Sequence, residues 1–237
     1  VVIEDFLDGP ELSVFAISDG TTALPLEPAR DYKRLSDGDA GPNTGGMGCY
    51  SPVDDLPEGI VQSTLTNVID PVHETLAEDG TPYVGFIYAG LVLTGDGPKV
   101  LEFNCRLGDP ETQVVLPRMD DDLLELLLAA LDGTLAGREV NWFDGTAVDV
   151  VLAADGYPDS PRKGDMISGV ESATADTGIL VFHAGTALDG SDLVTAGGRV
   201  INVVGTAATA DKARDRAYAA AAKITWEGVQ YRRDIGL

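Results

Sequence analysis

Basic residues are scarce in this sequence, and their scarcity limits what the protein can bind. Lysine and arginine together number 16 against 39 aspartates and glutamates, which gives a formal net charge of −23 at pH 7. A nucleic-acid partner would need a concentrated face of lysine and arginine, so we expect none. The acidity is spread along the chain, which fits either a solvated surface or adaptation to a salt-rich cytoplasm. A stability that rises with salt concentration would favour the second interpretation.

Long apolar stretches are absent too. No segment approaches about 18 consecutive apolar residues, so the sequence predicts no membrane span and no membrane partner. There is also no basic region followed by an apolar stretch, so it predicts no secretory signal and a cytoplasmic location. The first residue is Val1 rather than methionine, and we expect a fragment or a processed chain.

Cysteine and histidine are too few for a disulfide framework or a zinc site. Cys49 and Cys105 are the only cysteines and form no CxxC pair, so we expect two reduced thiols. His73 and His183 are the only histidines and stand far apart in the sequence. Each is expected to be a structural or surface residue.

The apolar content is 44% of the sequence, enough for one large domain or two ordinary ones. Alternating apolar residues predict strands over residues 1–7 and 12–18, and "YVGFIYAGLVL" with "KVLEFN" predicts a hairpin. Residues 57–78 have apolar residues at helical spacing, with an interruption near Pro71. The stretch "SDGDAGPNTGGMGCYSP" predicts a long loop that contains neither a helix nor a central strand.

The rest of the sequence predicts a β-rich region between two helices. "DDDLLELLLAALDG" predicts a helix whose first residues are acidic, as the helix dipole favours, and which ends at Gly133. The runs "TAVDVVLAA", "GILVFHAGT" and "RVINVVG" predict short strands, and "ADKARDRAYAAAAKI" predicts a helix. We predict a mixed α/β (α+β) fold with domains at residues 1–131 and 146–237, joined by a linker at residues 132–145.

Three polar side chains follow one another at every second position where the segment "VLEFNCR" ends. Because strand side chains alternate between faces, Glu102, Asn104 and Arg106 are expected on one face, ~6–7 Å apart. Carboxylate and amide oxygens suit Mg²⁺, and a guanidinium suits a phosphate or carboxylate. The apolar residues of the segment and Cys105 would then surround them. The alternative is a surface strand edge with a Glu–Arg ion pair.

Two other regions carry weaker signals for nucleotide or anion binding. "IEDFLDGPELS" contains Glu4 and Glu11, and it could offer backbone groups to a purine and a carboxylate to a ribose, or be an ordinary edge strand. "DYKR" followed by "GPNTGGMG" places cations beside backbone N–H groups that could cradle an anion, or is a surface loop. Asp109 and Glu111, near the end of the Glu102 strand, could serve the same site or cap the next segment.

Several segments, taken in order, carry a resemblance to a known family: "VVIEDFLDGPELS", "DYKR", "GPNTGGMGCYSP", "GFIYAGL", "EFNCRLGDPETQ", "FHAGT", "GGRV" and "YRRDIG". They resemble phosphoribosylamine–glycine ligase, also called glycinamide ribonucleotide synthetase, an ATP-grasp family of purine biosynthesis. The resemblance covers about the C-terminal half to three-fifths of a usual member. It implies a partial ATP-grasp domain followed by a small β-rich domain with a closing helix.

The resemblance also implies a reaction and its site. ATP, glycine and 5-phosphoribosylamine would give glycinamide ribonucleotide, ADP and phosphate through glycyl phosphate, with Mg²⁺ or Mn²⁺ as the cation. It implies metal ligands at Glu102 and Asn104, ATP contacts at Glu4, Phe6, Leu7 and Glu11, catalytic cations at Arg106, Lys33 and Arg34, and substrate contacts at Asn43, Gly46, Asp109 and Glu111. Tyr32 stands where the family often has histidine, so no essential role is expected there, and structural support is expected of His183.

The resemblance further implies that the missing N-terminal half of the same enzyme is a partner of this chain. That half would include the substrate domain and most of the lid whose lysines hold the ATP phosphates, so the chain alone is expected to be inactive or nearly so. Two alternatives stay open. One is another ATP-grasp ligase that joins a different carboxylate and amine, and the other is a non-catalytic nucleotide-binding module.

Overall fold

The structure is a computed structural model, and it describes residues 3–237. The chain forms two units. The first comprises the described residues up to Arg30, Val53–Gly108 and Met119–Phe143, and the second comprises Asp31–Pro52, Asp109–Arg118 and Asp144–Leu237. The described residues include no helix with the length and apolarity needed to cross a bilayer.

The structure contains both strands and helices, which confirms the predicted mixed α/β class. Within residues 3–237 the strands are β1 (Glu11–Asp19), β2 (Ala23–Pro25), β3 (Arg30–Asp31), β4 (Arg34–Ser36), β5 (Ala40–Asn43), β6 (Gly48–Ser51), β7 (Val84–Thr94), β8 (Gly97–Asn104), β9 (Thr146–Ala153), β10 (Ile179–His183), β11 (Thr186–Asp189), β12 (Asp192–Thr195) and β13 (Arg199–Ala207). The helices are α1 (Ile60–Thr64), α2 (Asp70–Glu78), α3 (Thr112–Val115), α4 (Leu123–Leu131), α5 (Val170–Ala173) and α6 (Ala210–Ala221).

The first unit is built on an antiparallel sheet with the strand order β2-β1-β7-β8. The predicted β7–β8 hairpin is confirmed, and β8 lies at the sheet edge. Leu65 and Ile69 from the helical segment pack on Ala16 of β1 and on Ile87 and Ala89 of β7. This apolar layer holds the helical segment against one face of the sheet.

The predicted helix over residues 57–78 is confirmed, with its interruption resolved as a π-helical stretch, Leu65–Ile69, between α1 and α2. Pro71 lies in the first turn of α2, directly after the π-helical stretch, so the interruption lies just before the proline, close to where it was predicted. The predicted acidic start of α4 is also confirmed. Asp122 is its N-cap residue, and the Asp122 carboxylate accepts a hydrogen bond from the Leu124 N–H at 2.8 Å.

The predicted strand over residues 1–7 is wrong for its described part. Val1 and Val2 lie outside the described residues, and residues 3–7 form no strand. The side chains of Ile3 and Phe6 are exposed, the latter by 88%, whereas β1 starts at Glu11 and is paired on both sides by β2 and β7. An alternating pattern supplies no hydrogen-bond partner by itself, so the segment stays irregular.

The second unit is built on a sheet with the strand order β10-β13-β9-β6-β3. The Ala-rich helix α6 packs on β9 and β13, and its Ala213 and Ala217 are fully buried. A Cβ atom on Gly205 of β13 would collide with the Ala213 carbonyl oxygen. Small residues on both elements therefore allow the close packing of this closing helix.

The predicted absence of a central strand from the glycine-rich stretch is wrong. Strand β6 lies inside that stretch and is hydrogen-bonded between β9 and β3. Gly48 begins the strand with φ +154°, and a Cβ atom there would collide with the Asp149 backbone oxygen and lie 2.9 Å from the Ile235 side chain. The glycine that suggested a loop is needed because two backbones approach closely.

We expect the Gly48→Ala substitution to destabilise the chain by about 3 kcal/mol, because overpacking adds to the cost of an unfavourable φ. Urea unfolding measures the loss. Gly164→Ala is the matched control, since Gly164 also has positive φ (+89°) but has open space around it, and we expect it to cost only about 1 kcal/mol. Equal losses for the two variants would contradict the close approach at β6.

Candidate functional site

Glu102 and Asn104 lie side by side on one face of β8. The Asn104 Nδ2 group donates a hydrogen bond to Glu102 Oε1 at 3.1 Å, and the pair is accessible to solvent. Gly90 of β7 stands opposite Glu102, and a Cβ atom on Gly90 would lie 3.2 Å from Glu102 Cγ. The glycine therefore leaves room for the Glu102 side chain to lie across β7.

Arg106 does not join this pair. It follows the end of β8, is exposed, and donates from Nη1 to the Leu107 carbonyl oxygen at 2.9 Å. Among residues 3–237, the structure contains no ion pair between Arg106 and Glu102. The alternative prediction of a Glu–Arg ion pair at this strand edge is therefore wrong. The guanidinium is held by its own backbone, two residues beyond the strand.

The prediction that apolar side chains surround Glu102 and Asn104 is wrong. Val100, Leu101 and Phe103 are each exposed by 41–43%, and Cys105 is exposed. β8 is an edge strand, and its register shifts at Leu101, so its side chains alternate irregularly and no neighbouring strand covers them. The pair stands on an open sheet edge.

The donor set of Glu102 and Asn104 fits a divalent cation that is completed by other ligands. The described part of the chain contains no cluster of three or more His, Cys, Asp or Glu side chains arranged to hold a metal, so it has no all-protein cage. Mg²⁺ takes few protein ligands and completes its octahedron with water and phosphate oxygens. One exposed carboxylate and one half-buried amide match that requirement.

Of the four residues expected to contact ATP, only Glu11 lies in a strand. Glu4, Phe6 and Leu7 belong to the irregular segment before β1, and the first two are exposed. Glu11 is the first residue of β1 and is paired in register with Val92 of β7. Sheet hydrogen bonds therefore fix the backbone position of Glu11, whereas no strand pairing fixes the positions of the other three residues.

The second unit brings the "DYKR" motif and the glycine-rich loop together. The Lys33 ammonium lies 2.8 Å from the Asp31 carboxylate, whose side chain is buried. The Thr44 N–H donates to the Lys33 carbonyl oxygen at 2.8 Å. Gly46 has φ +116°, and a Cβ atom there would lie 2.7 Å from Asp31 Oδ1. Gly46 is thus required where the loop crosses the Asp31 carboxylate.

Arg34 and Asn43 lie opposite each other on the β4–β5 hairpin. The Arg34 guanidinium donates to the Gly41 carbonyl oxygen of the same hairpin at 2.9 Å, and Asn43 is exposed. The structure does not place the Arg34 guanidinium at the Asp31 carboxylate, which pairs with Lys33.

The C-terminal segment fastens this hairpin. The Arg232 guanidinium is almost completely buried and donates to Asp39 in the hairpin turn and to both oxygens of Asp234, each at 2.7 Å. The Gly38 N–H donates to Asp234 at 2.8 Å. The Arg232 side chain also lies over the ring of Tyr32, 4.9 Å from its centroid. Tyr32 therefore has a packing role.

Arg199 joins the glycine-rich loop to the "GDPET" loop, a role that the sequence did not reveal. Its Nη1 donates to the carbonyl oxygens of Gly45 and Asp109, both at 2.7 Å, and its Nη2 donates to the Asp109 carboxylate at 3.1 Å. Glu111 follows in the second loop and is buried. "GGRV" had marked this region, but only the fold places its arginine between two distant loops.

Asp149 is a second residue that sequence reasoning missed. It lies opposite Cys49 in the pairing of β6 and β9 and is fully buried. Neither carboxylate oxygen accepts a hydrogen bond of good geometry among the described residues, and the Val203 backbone N–H supplies only a weak one. Burial raises the pKa of Asp149 well above its usual value, and the neighbouring Asp109 raises it further while Arg199 lowers it. The Asp149 environment therefore favours the protonated, neutral carboxyl.

The Cys49 thiol is buried and donates to the Pro110 carbonyl oxygen at 3.1 Å. Burial raises the pKa of Cys49, and Asp149 adds to the increase. A thiol held in its protonated form is a poor nucleophile. Cys105 is free and exposed, and the exposed His183 ring contacts the Thr186 hydroxyl at 3.2 Å.

We expect the Asp149→Asn variant to gain stability relative to the wild type as pH rises from about 5 to 8. A raised folded-state pKa gives stability that is present below the unfolded-state pKa and lost as pH rises through the folded-state pKa. The expected gain at the upper end is about 1–3 kcal/mol, the cost of an unsatisfied buried group. Urea unfolding across this pH range measures it.

Asp215→Asn on α6 is the matched control, because the Asp215 side chain is exposed by 78%. This variant should follow the wild-type pH dependence. If the Asp149→Asn variant also runs parallel to the wild type, the Asp149 carboxyl carries no raised pKa.

Known proteins resemble this chain in sequence and in structure. Residues 1–112 match the family model described as "Phosphoribosylglycinamide synthetase, ATP-grasp (A) domain", and residues 147–237 match the one described as "Phosphoribosylglycinamide synthetase, C domain". The chain is 52% identical over 238 residues to the phosphoribosylamine–glycine ligase of Leifsonia xyli, covering 99% of this chain and 57% of that protein. The chain spans about half the length of the curated relatives it matches.

Solved structures give the same picture. The chain is similar to the crystal structure of the phosphoribosylamine–glycine ligase of Thermotoga maritima, with a TM-score of 0.86, 42% identity and coverage of 98% of this chain and 56% of that one. It is also similar in fold to the biotin carboxylase domain of the Hydrogenobacter thermophilus 2-oxoglutarate carboxylase, with a TM-score of 0.64, 15% identity and coverage of 95% and 48%. These matches confirm the predicted fold class, a partial ATP-grasp domain followed by a β-rich domain.

Proposed function

The chain belongs to the phosphoribosylglycinamide synthetase family, and we therefore propose that it contributes to an ATP-dependent ligase that joins glycine to 5-phosphoribosylamine. The products would be glycinamide ribonucleotide, ADP and phosphate. Relatives that are about 50% identical and carry the name phosphoribosylamine–glycine ligase support the assignment. Because the chain spans about half their length, the proposal concerns the activity of a protein of their full length.

The observation that carries this proposal is the pairing of Glu102 and Asn104 at 3.1 Å on an accessible strand face. We propose that these two side chains hold Mg²⁺ or Mn²⁺ together with ATP phosphate oxygens. The cation would neutralise charge on the phosphoryl group during its transfer. ATP use follows from the ATP-grasp fold, while the choice between the two cations belongs to the proposal.

The chemistry needs positioned groups rather than a protein nucleophile. A carboxylate is a poor acyl donor, so the glycine carboxylate first takes the ATP γ-phosphoryl group and releases ADP. The amine of 5-phosphoribosylamine then attacks the glycyl carbonyl, and the C–O bond to phosphate breaks as the amine loses a proton. The raised pKa of the buried Cys49 thiol agrees with a route that involves no thiolate. Catalysis of this kind rests on alignment and charge neutralisation.

We propose the remaining site roles from the family resemblance. The adenine and ribose contacts are Glu4, Phe6, Leu7 and Glu11, the cations that act on charged oxygens are Arg106, Lys33 and Arg34, and the substrate contacts are Asn43, Gly46, Asp109 and Glu111. Ion pairing with the buried Asp31 supports the role of Lys33, because it fixes the ammonium position. Arg199 supports the role of the "GDPET" loop, because it ties Asp109 to Gly45.

We also propose the domain division given by the sequence. Residues 1–131 would belong to the ATP-grasp domain, residues 132–145 would be a linker, and residues 146–237 would form the C-terminal ligase domain. The gap between the matched family models, from residue 112 to residue 147, supports a boundary in this region of the sequence. The compact units of the structure divide the chain differently, because Asp31–Pro52 and Asp109–Arg118 group with Asp144–Leu237. The remaining length of the relatives would supply the other half of the enzyme, which we place in the cytoplasm.

The activity test measures ADP release by a protein of the relatives' full length that carries this sequence. We expect release that requires ATP, glycine and 5-phosphoribosylamine together, and little or none from the 237-residue chain alone. Replacing either substrate with a panel of other amino acids and amines tests for a different ATP-grasp ligase. ADP release with another pair, or nucleotide binding without any turnover, would overturn the assignment.

We expect the Glu102→Gln substitution in that full-length protein to lower turnover about 100-fold or more, because it removes a hard anionic ligand. Steady-state ADP release at several Mg²⁺ concentrations measures the effect. Glu125→Gln is the control, since Glu125 is exposed on α4 of the same unit and makes the same charge change. Near-normal turnover of the Glu102→Gln variant would remove the metal role from Glu102.

A further inference from the structure

The first unit contains a half-open cavity of about 510 Å³ that no proposed role uses. Its wall is formed by the turn after β1, with Thr21 and Thr22, and by the helical segment from α1 to α2. None of the residues expected to bind ATP, metal or substrate lines it. Its volume lies in the range of ordinary small-molecule sites.

The π-helical stretch places the helical part of this wall. Leu65 and Asp70 both line the cavity although they are five residues apart. Residues at this spacing share a face in a π-helix but not in an α-helix. The π turns therefore bring Gln62 and Leu65 from the start of the segment onto the same face as Asp70 and Glu74. Such turns occur frequently at functional sites.

His73 supplies a buried polar group to the wall. It is 4% exposed, and neither ring nitrogen has a hydrogen-bond partner among the described residues. Burial lowers the pKa of His73, against the opposing effect of Asp70 and Asp19. A neutral imidazole has one hydrogen-bond donor and one acceptor. When these two nitrogens are buried, each normally has a hydrogen-bond partner.

The charged side chains that line the cavity determine which kind of ligand it favours. Asp70 and Glu74 line the cavity, and no lysine or arginine does. Asp19, whose charge acts on His73, already accepts hydrogen bonds from the backbone N–H groups of Thr21, Thr22 and Leu135. The open carboxylates therefore repel phosphates and carboxylates and favour a cation.

We propose that this cavity binds a small organic ammonium ion. Its ammonium group would lie at the carboxylates of Asp70 and Glu74, its hydrocarbon would cover Leu65 and Ala77, and a hydroxyl or amine at its other end would meet the His73 ring. The site is separate from the proposed ligase chemistry and stands or falls independently of it.

The test uses 6-amino-1-hexanol as the probe and the two histidines of the sequence as reporters. Imidazole ¹⁵N and ¹H signals of the 237-residue chain are followed by NMR during titration at constant ionic strength. We expect saturable shifts of the His73 signals with a Kd of about 1 mM, and unchanged signals from the exposed His183. Hexane-1,6-diol, which lacks the charge, should bind at least about tenfold more weakly.

Matched variants separate a site from general attraction to an acidic protein. We expect Glu74→Gln to weaken binding about fivefold to tenfold, and Glu78→Gln, on the same helix but outside the cavity wall, to leave it unchanged. Equal weakening by both variants, equal shifts of both histidines, or no saturable shift at 20 mM probe (about 20 times the expected Kd) would each overturn the proposal.

Discussion

Three cations, one buried and two partly buried, hold the loops of the second unit, and the position of its candidate site residues depends on them. Arg232 joins the C-terminal segment to the β4–β5 hairpin, Arg199 joins the glycine-rich loop to the "GDPET" loop, and Lys33 neutralises Asp31. The chain has 39 acidic and 16 basic residues. Arg232 and Arg199 each donate to more than one acceptor, and Lys33 pairs with a buried acid. Removing one partner of a buried pair leaves an uncompensated charge, at a cost of about 3–5 kcal/mol.

The same unit contains acids whose responses to pH oppose each other. Hydrogen bonds from Arg232 lower the pKa of Asp234, so the stability that Asp234 contributes is lost as pH falls. For Asp149, burial outweighs the opposing charge of Arg199 and raises the pKa, so its contribution is lost as pH rises. The stabilising contributions of these two groups are therefore both present only between these two limits, where Asp234 is charged and Asp149 is neutral.

The sequence was informative wherever local chemistry decided the structure. Periodicity located the β7–β8 hairpin, α4 and α6, and the alternation of Glu102 and Asn104 predicted their shared face. It failed where distant segments decided. Composition could not show that Gly48 begins a paired strand, because the reason is the approach of β9 about 100 residues later. The role of Arg199 was hidden for the same reason, since its partners Gly45 and Asp109 lie far away in sequence.

The two thiols of the chain differ in a way that makes the β8 edge with Glu102 and Asn104 observable. Cys105 is exposed and stands one residue beyond Asn104, whereas Cys49 is buried with a raised pKa. A maleimide dye reacts with accessible thiolate, so labelling is directed to Cys105. A fluorophore attached there lies beside Glu102 and Asn104 without any engineered residue, so its emission would respond to the proposed binding of a divalent cation at this pair.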